Sequence, residues 1–230
     1  MTTINKKEIM DIYKQLRVAD VRDGMDWMMM HNYGSVSPDI VPLFRTRFCG
    51  FARTVRYVPT NRPIPKMTPD EYTEFVGHWY NSIATYGWQN DIEEDDVIMM
   101  DASNTNVGII GSHNSLDWKS RGARGIVTNG GCRDTDEVIL TEVPVYSRYR
   151  SQTMVQGRIE FQAANIPVDI GGVLVRPGDV VVADYDGVIV VPIEKAMDVA
   201  KYAMKELQQD KINRREVYEK MGMELDDTVQ

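Results

Sequence analysis

Hydrophobic and polar positions along this chain fall into two registers, helical spacing near both ends and short apolar or partly alternating runs between them. Lys6 to Leu16 and Val18 to about Met30 are predicted as helices, with Met28, Met29 and Met30 as core filling. Phe48 to Val58 alternates in part and is predicted as a strand. Pro63, Pro65 and Pro69 make the next stretch a loop, and Asp70 to about Gly87 has helical character. The aromatics there, Tyr72, Phe75, Trp79 and Tyr80, are expected in a core or interface, or as a wall of an active site.

Asp96 to Asp101 is a short buried strand by pattern, Val107 to Ile110 is another apolar piece leading into Gly111, and a helix with polar caps is predicted from Leu116 to about Arg121. Gly125 to Thr128 reads as another buried strand, Asn129-Gly130-Gly131 as a turn, and a helix begins near Thr135. Strands then follow closely: Val143 to Tyr146, Thr153 to Phe161, Val168 to Val175, Val180 to Ala183 and Val188 to Val191. From about Pro192 a helix sets Ile193, Ala196, Met197, Ala200, Ala203, Met204 and Leu207 along one face, with Lys205 and Glu206 outside it.

With 230 residues, 43% hydrophobic and 26% charged, these elements fit one domain spanning residues 1–230 with a full core. A net charge of -8 argues against a nucleic-acid surface and for a small molecule or another protein as partner. Met1 to Glu8 lacks the apolar core of a signal peptide and no run approaches a membrane span, so the expected location is the cytoplasm. Cys49 and Cys132 are far apart without metal-ligand spacing and are expected as buried thiols; His31, His78 and His113 form no zinc pattern.

The candidate chemistry gathers at Arg133 and Asp134, at a strand-to-helix corner. There the guanidinium fork can hold an oxyanion and the carboxylate can offer hard oxygen to a divalent cation. A structural reading competes: Asp134 with Glu137 fits a capping box, and Arg133 can pair with a nearby acid. Upstream, Gly111-Ser112-His113-Asn114 opens a helix whose unpaired amides suit an anion, unless Ser112, Asn114 or Ser115 simply caps it. Asp184 and Asp186 resemble a metal pair but fit a hairpin turn better. No Gly-rich nucleotide loop is evident.

Several motifs together carry a resemblance: Val18-Ala19-Asp20-Val21-Arg22-Asp23-Gly24, Gly50 to Val55, Arg121 to Val127, Gly130-Gly131-Cys132-Arg133-Asp134, and Arg176 to Pro192. In this order they resemble the family of regulator of ribonuclease activity A and the class II 4-hydroxy-4-methyl-2-oxoglutarate aldolases, over nearly the whole chain except an expanded segment at about 59–92. The resemblance implies an α/β layered sandwich, a β-rich core flanked by helices, assembled as a homotrimer or homohexamer with sites between subunits.

For activity, the resemblance implies a divalent metal, Mg2+ or else Mn2+, anchored by Asp134, with Arg133 on the developing enolate oxygen. The amides at Gly111, Ser112, His113 and Asn114 would hold the carboxylate of a 2-oxo acid substrate. Glu206, supplied by an adjacent subunit, is the candidate second acid on the metal. One position departs from the aldolases: Ser112 stands where they carry an acid, with twenty residues between it and Arg133. His113 is then the candidate proton carrier.

Three functions are in play: a metal-dependent lyase acting by aldol cleavage or decarboxylation, an epimerase or isomerase of a sugar-derived keto acid through an enediolate, and a non-enzymatic regulator binding a ribonuclease complex. His78, Trp79 and Tyr80 in the expanded segment suggest a reshaped pocket.

Overall fold

The computed structural model describes residues 5–230; the part of the amino-terminal reading that concerns residues 1–4 lies outside it. Helix α1 (Lys6–Tyr13) starts where the Asn5 side chain accepts a hydrogen bond from the Glu8 amide. Helix α2 (Val18–Trp27) starts where Asp20 turns back to accept from the Arg17 amide at 2.8 Å and from its guanidinium. Both pack with the long carboxy-terminal helix α6 (Ala196–Met221) on one face of a mixed sheet. Ile9, Tyr13, Met25, Val199 and Ala203 are buried there. The α6 stripe is shifted from its expected place: Val199 is inside and Met197 is exposed. Of the three consecutive methionines, Met28 and Met30 pack against this core, whereas Met29 is 74% exposed.

The strands are β1 (Val41–Pro42), β2 (Phe48–Pro59), β3 (Asp96–Asp101), β4 (Gly108–Ile110), β5 (Gly125–Cys132), β6 (Val145–Arg150), β7 (Ile159–Ala164), β8 (Val168–Ile170), β9 (Val173–Val175), β10 (Val180–Asp184) and β11 (Gly187–Val191). Their order is β1-β6-β5-β3-β2-β10-β11, with β4 on β5 and β7 on β2. The centre, β2-β3-β5-β6, is parallel and β10 and β11 return antiparallel. That explains why Val97 to Met100 and Val180 to Ala183 are continuous apolar runs: both faces are covered. The Asp184 to Gly187 turn is a hairpin, in which Asp184 accepts hydrogen bonds from the Val18 and Asp186 amides.

Three expectations about the strands are corrected. Asn129-Gly130-Gly131 is no turn but the buried second half of β5. A Cβ at Gly130 would lie 2.6 Å from the Ala102 Cβ, and one at Gly131 would lie 2.7 Å from the Ser151 Cβ, so glycine marks close packing there. The predicted strand from Val168 to Val175 is a separate two-stranded hairpin, β8-β9, bent at Gly171 and Gly172. The strand expected from Thr153 starts only at Ile159.

The expanded segment folds as helix α3 (Pro69–His78), capped reciprocally by Thr68 and Glu71, then a wide π turn at Trp79–Ile83 and a 3-10 turn at Gly87–Asp91. The helix expected to reach Gly87 therefore ends early. Buried Trp79 donates to the Ile159 carbonyl at 3.0 Å and buried Trp88 to the Tyr57 hydroxyl at 2.8 Å, tying the segment to the sheet. Among the described residues no helix is long and apolar enough to cross a membrane.

Candidate active site

Strands β4 and β5 run parallel, with Gly108 opposite Gly131 and Ile110 opposite Cys132. Their carboxy-terminal ends lie side by side, and two helices start there, α4 (Ser112–Ser120) and α5 (Thr135–Leu140). The Arg133 amide donates to the Ile110 carbonyl at 2.8 Å and fixes the two corners against each other. Parallel pairing thus brings Ser112 to Asp134 across the sequence. Helix α4 begins four residues before the predicted Leu116, because Gly111 is its extended N-cap.

Asp134 has φ 52° and ψ 39°, the left-handed region. A non-glycine residue held there stores strain that the surroundings must support. Although it stands at the N-cap of α5, its side chain makes no capping bond, so the Asp134–Glu137 capping box does not form. The carboxylate turns across instead: Oδ2 accepts from the Ser112 amide at 3.3 Å, with the Ser112 hydroxyl at 3.5 Å, and Oδ1 accepts from Arg133 Nε at 3.2 Å. Glycine clears the way. A Cβ at Gly111 would lie 2.8 Å from Asp134 Oδ2, and one at Gly108 would lie 3.0 Å from Arg133 Cβ and Cδ.

Asn114 fastens the corner. It accepts from the Gly111 amide at 2.7 Å and donates to the Ile109 carbonyl at 3.0 Å, which makes it a positioning residue. The Ser112 amide is taken by Asp134, while the backbone amides of His113 and Asn114 find no acceptor among the described residues. They are the free donors at the start of this helix.

These residues face a cavity of about 720 Å³. Gly111, His113, Asn114, Arg133 and Asp134, all singled out from sequence, line it; Ser112 is held at its edge by Asp134. Tyr80, Asn81, Thr85, Tyr86, Gly87 and Gln89 of the expanded segment build the facing wall, closed by Gly108, Ile109, Asp117 and Met154. Of the three residues flagged there, only Tyr80 lines the cavity: Trp79 is in the core and His78 is exposed. Asp117 escaped sequence reasoning, although it lies four positions after His113 and therefore on the same helical face.

Burial holds the Tyr86 hydroxyl protonated, its pKa pushed well above the ordinary tyrosine range, and it donates to the Ile109 carbonyl. Burial likewise pushes the Cys132 thiol up to about 12, which removes it as a nucleophile although it adjoins Arg133.

Among the described residues no three His, Cys, Asp or Glu side chains gather as a ligand set. Asp134, 36% exposed and packed so close to Gly111 that a Cβ there would lie 2.8 Å from Oδ2, is the carboxylate able to hold a hard cation at this corner. That fits magnesium, which commonly takes one or two carboxylates and fills its remaining positions with water and substrate oxygens. Glu206 is not brought to this cavity within the chain. It accepts from Trp27 Nε1 at 2.7 Å, in a group with Asp23 and Asp26. Burial, followed by the charge of Glu206, raises the Asp23 carboxyl above its usual range.

Residues 16–190 match the family model described as RraA-like, Aldolase/RraA. The chain belongs to the RraA-like family. A relative from Halalkalibacterium halodurans, provisionally named a 4-hydroxy-4-methyl-2-oxoglutarate aldolase, is 30% identical over 53% of this chain. The match spans only 58% of that relative's own length. A crystal structure of an uncharacterized protein from Pseudomonas syringae superposes over 100% of both chains, with a TM-score of 0.76 and 25% identity. Streptomyces coelicolor RraAS2, described as an unusual member of the RNase ES inhibitor RraA protein family, superposes over 91% of this chain and 97% of its own, with a TM-score of 0.75 and 25% identity. The α/β fold expected from the sequence is thus the fold of RraA-like proteins.

Proposed function

We propose that this RraA-like protein is a divalent-metal-dependent lyase that cleaves or decarboxylates a 2-oxo acid through a pyruvate-type enolate. The observation that carries this reading is Asp134, held in a strained left-handed conformation with its carboxylate beside the Arg133 guanidinium at the mouth of a cavity. Strain that serves no cap, at a residue lining a cavity, motivates a functional role for it. Asp134 would hold the cation, magnesium by the hardness of the donor, which would supply Lewis acidity toward the 2-oxo group.

The chain's own residues do the rest. The free amides of His113 and Asn114 bind the substrate carboxylate at a helix start. Arg133 stands where negative charge grows on the oxo oxygen as the carbon-carbon bond breaks, and stabilises the transition state more than the ground state. His113 takes or returns the proton. Glu206, bonded to Trp27 within the chain, would help hold a cation here only from another subunit of a homotrimer or homohexamer.

A second reading has two observations in its favour. Ser112 brings an amide and a hydroxyl to Asp134 where the aldolases have an acid, and His113 alone of the histidines lines the cavity. That arrangement suits an epimerase, which moves a proton without breaking a carbon-carbon bond.

The test is a coupled assay for pyruvate from 4-hydroxy-4-methyl-2-oxoglutarate and from oxaloacetate, with magnesium and with chelator, for wild type and Asp134→Asn. Release above the metal-only background that chelator and substitution both abolish supports the lyase. No release, with solvent deuterium entering a sugar-derived keto acid instead, supports the epimerase.

A further inference from the structure

The cavity is far larger than a pyruvate unit, so the part of it beyond Arg133 and Asp134 is left to select the rest of the substrate. Its charges are unevenly placed. Among the described residues that line it, Arg133 is the one Lys or Arg, and it is committed to the reacting end beside Asp134. The wall from the expanded segment is neutral, with Tyr80, Asn81 and Gln89 presenting hydroxyl and amide groups. Deeper along α4 the further charge is a carboxylate, Asp117, held by Arg121 Nε at 2.8 Å and about one-third exposed.

We propose that this cavity takes a 2-oxo acid whose tail is uncharged and carries hydroxyl groups, and that Asp117 disfavours tails ending in a second carboxylate. A carboxylate there would be desolvated and would face Asp117, while the nearby Arg121, already engaged by Asp117, does not line the cavity. Hydroxyl groups meet no such penalty. They donate to Asp117 and exchange hydrogen bonds with Asn81 and Tyr80.

The proposal rests on the reading that puts the oxo acid end at Arg133 and Asp134. For a tail of this kind the lyase step balances without a co-reactant. In 4,5-dihydroxy-2-oxopentanoate the C3–C4 bond breaks as the C4 hydroxyl loses its proton. Its electron pair passes to the pyruvate enolate, which is protonated at C3, and the remainder leaves as glycolaldehyde.

Two measurements separate selectivity from turnover. Calorimetric titration of the magnesium-loaded protein with 5-hydroxy-2-oxopentanoate and with 2-oxoglutarate compares a neutral and a charged tail on compounds that lack the C4 hydroxyl needed for cleavage. The neutral tail binds about tenfold tighter or more, and Asp117→Asn narrows the gap to about threefold or less by strengthening 2-oxoglutarate. Equal affinity, tighter binding of 2-oxoglutarate, or no binding of either overturns the proposal. A gap that Asp117→Asn leaves unchanged overturns the role given to Asp117. Because loss of the Arg121 pair can disturb α4, Asn81→Arg provides the converse: a cation added to the opposite wall strengthens 2-oxoglutarate selectively.

Pyruvate release from 4,5-dihydroxy-2-oxopentanoate against 4-hydroxy-2-oxoglutarate then reads turnover. Selective binding with no release from either sinks the lyase reading and leaves the tail preference standing.

Discussion

The Ser112 amide donates to Asp134 Oδ2 at 3.3 Å across 22 positions of the chain. This one contact joins the starts of α4 and α5 and aims the carboxylate at the cavity rather than at its own helix. Pairing of β4 with β5 creates it, and strain at Asp134 is its cost.

Asp134→Asn is the cleanest test of the charge. Asparagine tolerates the left-handed conformation that Asp134 adopts, so the fold is kept and only the anionic ligand is lost. The expected result is loss of magnesium binding by calorimetry and a fall in kcat/KM of about 10²-fold or more, with an unchanged melting temperature.

Gly111→Ala tests the geometry. The backbone at Gly111 is extended, which alanine adopts freely, so the harm comes from a methyl group 2.8 Å from Asp134 Oδ2. Displacing that carboxylate should lower kcat about tenfold or more while leaving the denaturant midpoint nearly unchanged.

Trp79 and Tyr80 are neighbours with opposite duties. Trp79 is 1% exposed and bonded to the Ile159 carbonyl, so Trp79→Ala should cost about 3–5 kcal/mol by denaturant titration. Tyr80 lines the cavity and is 36% exposed, so Tyr80→Ala should cost about 1 kcal/mol or less and act on KM instead.

The buried thiols predict an alkaline limit. Burial raises Cys49 from 9.0 to about 11 and Cys132 from 9.0 to about 12. A folded-state value raised in this way gives stability that is full below about pH 9 and lost as the pH climbs, because the unfolded chain ionises first. Each thiol contributes a slope of about 1.4 kcal/mol per pH unit in that window. Unfolding free energies from pH 8 to 11 should fall less steeply for the Cys49→Ala, Cys132→Ala double variant than for wild type, and native protein should resist thiol reagents at pH 8.

The sequence made the strands and the Arg133-Asp134 corner legible because their signals are local: apolar runs, a glycine-rich approach and an acidic helix start. Asn129-Gly130-Gly131 misled because glycine also serves where strands pack tightly, and only the contacts to Ala102 and Ser151 tell the two uses apart. Asp134 kept its capping alternative in sequence, since Glu137 at the right spacing says nothing of a positive φ. The facing wall was partly legible. An aromatic run marked the expanded segment, but which of Trp79 and Tyr80 turns inward depends on the π turn that starts at Trp79. Asp117 gave no signal beyond its spacing from His113. Glu206 shows the limit of a single chain, where it bonds to Trp27.

The most direct test of the central claim omits the tail altogether. Pyruvate in deuterium oxide, followed by proton NMR, reports enolate formation as loss of the methyl signal. Wild type with magnesium should exchange the methyl protons well above the metal-only rate, chelator and Asp134→Asn should abolish this, and Arg133→Lys should reduce it about tenfold or more, because a point charge replaces the planar fork. Exchange at the background rate, with magnesium shown by calorimetry to be bound through Asp134, would contradict enolate chemistry at this corner.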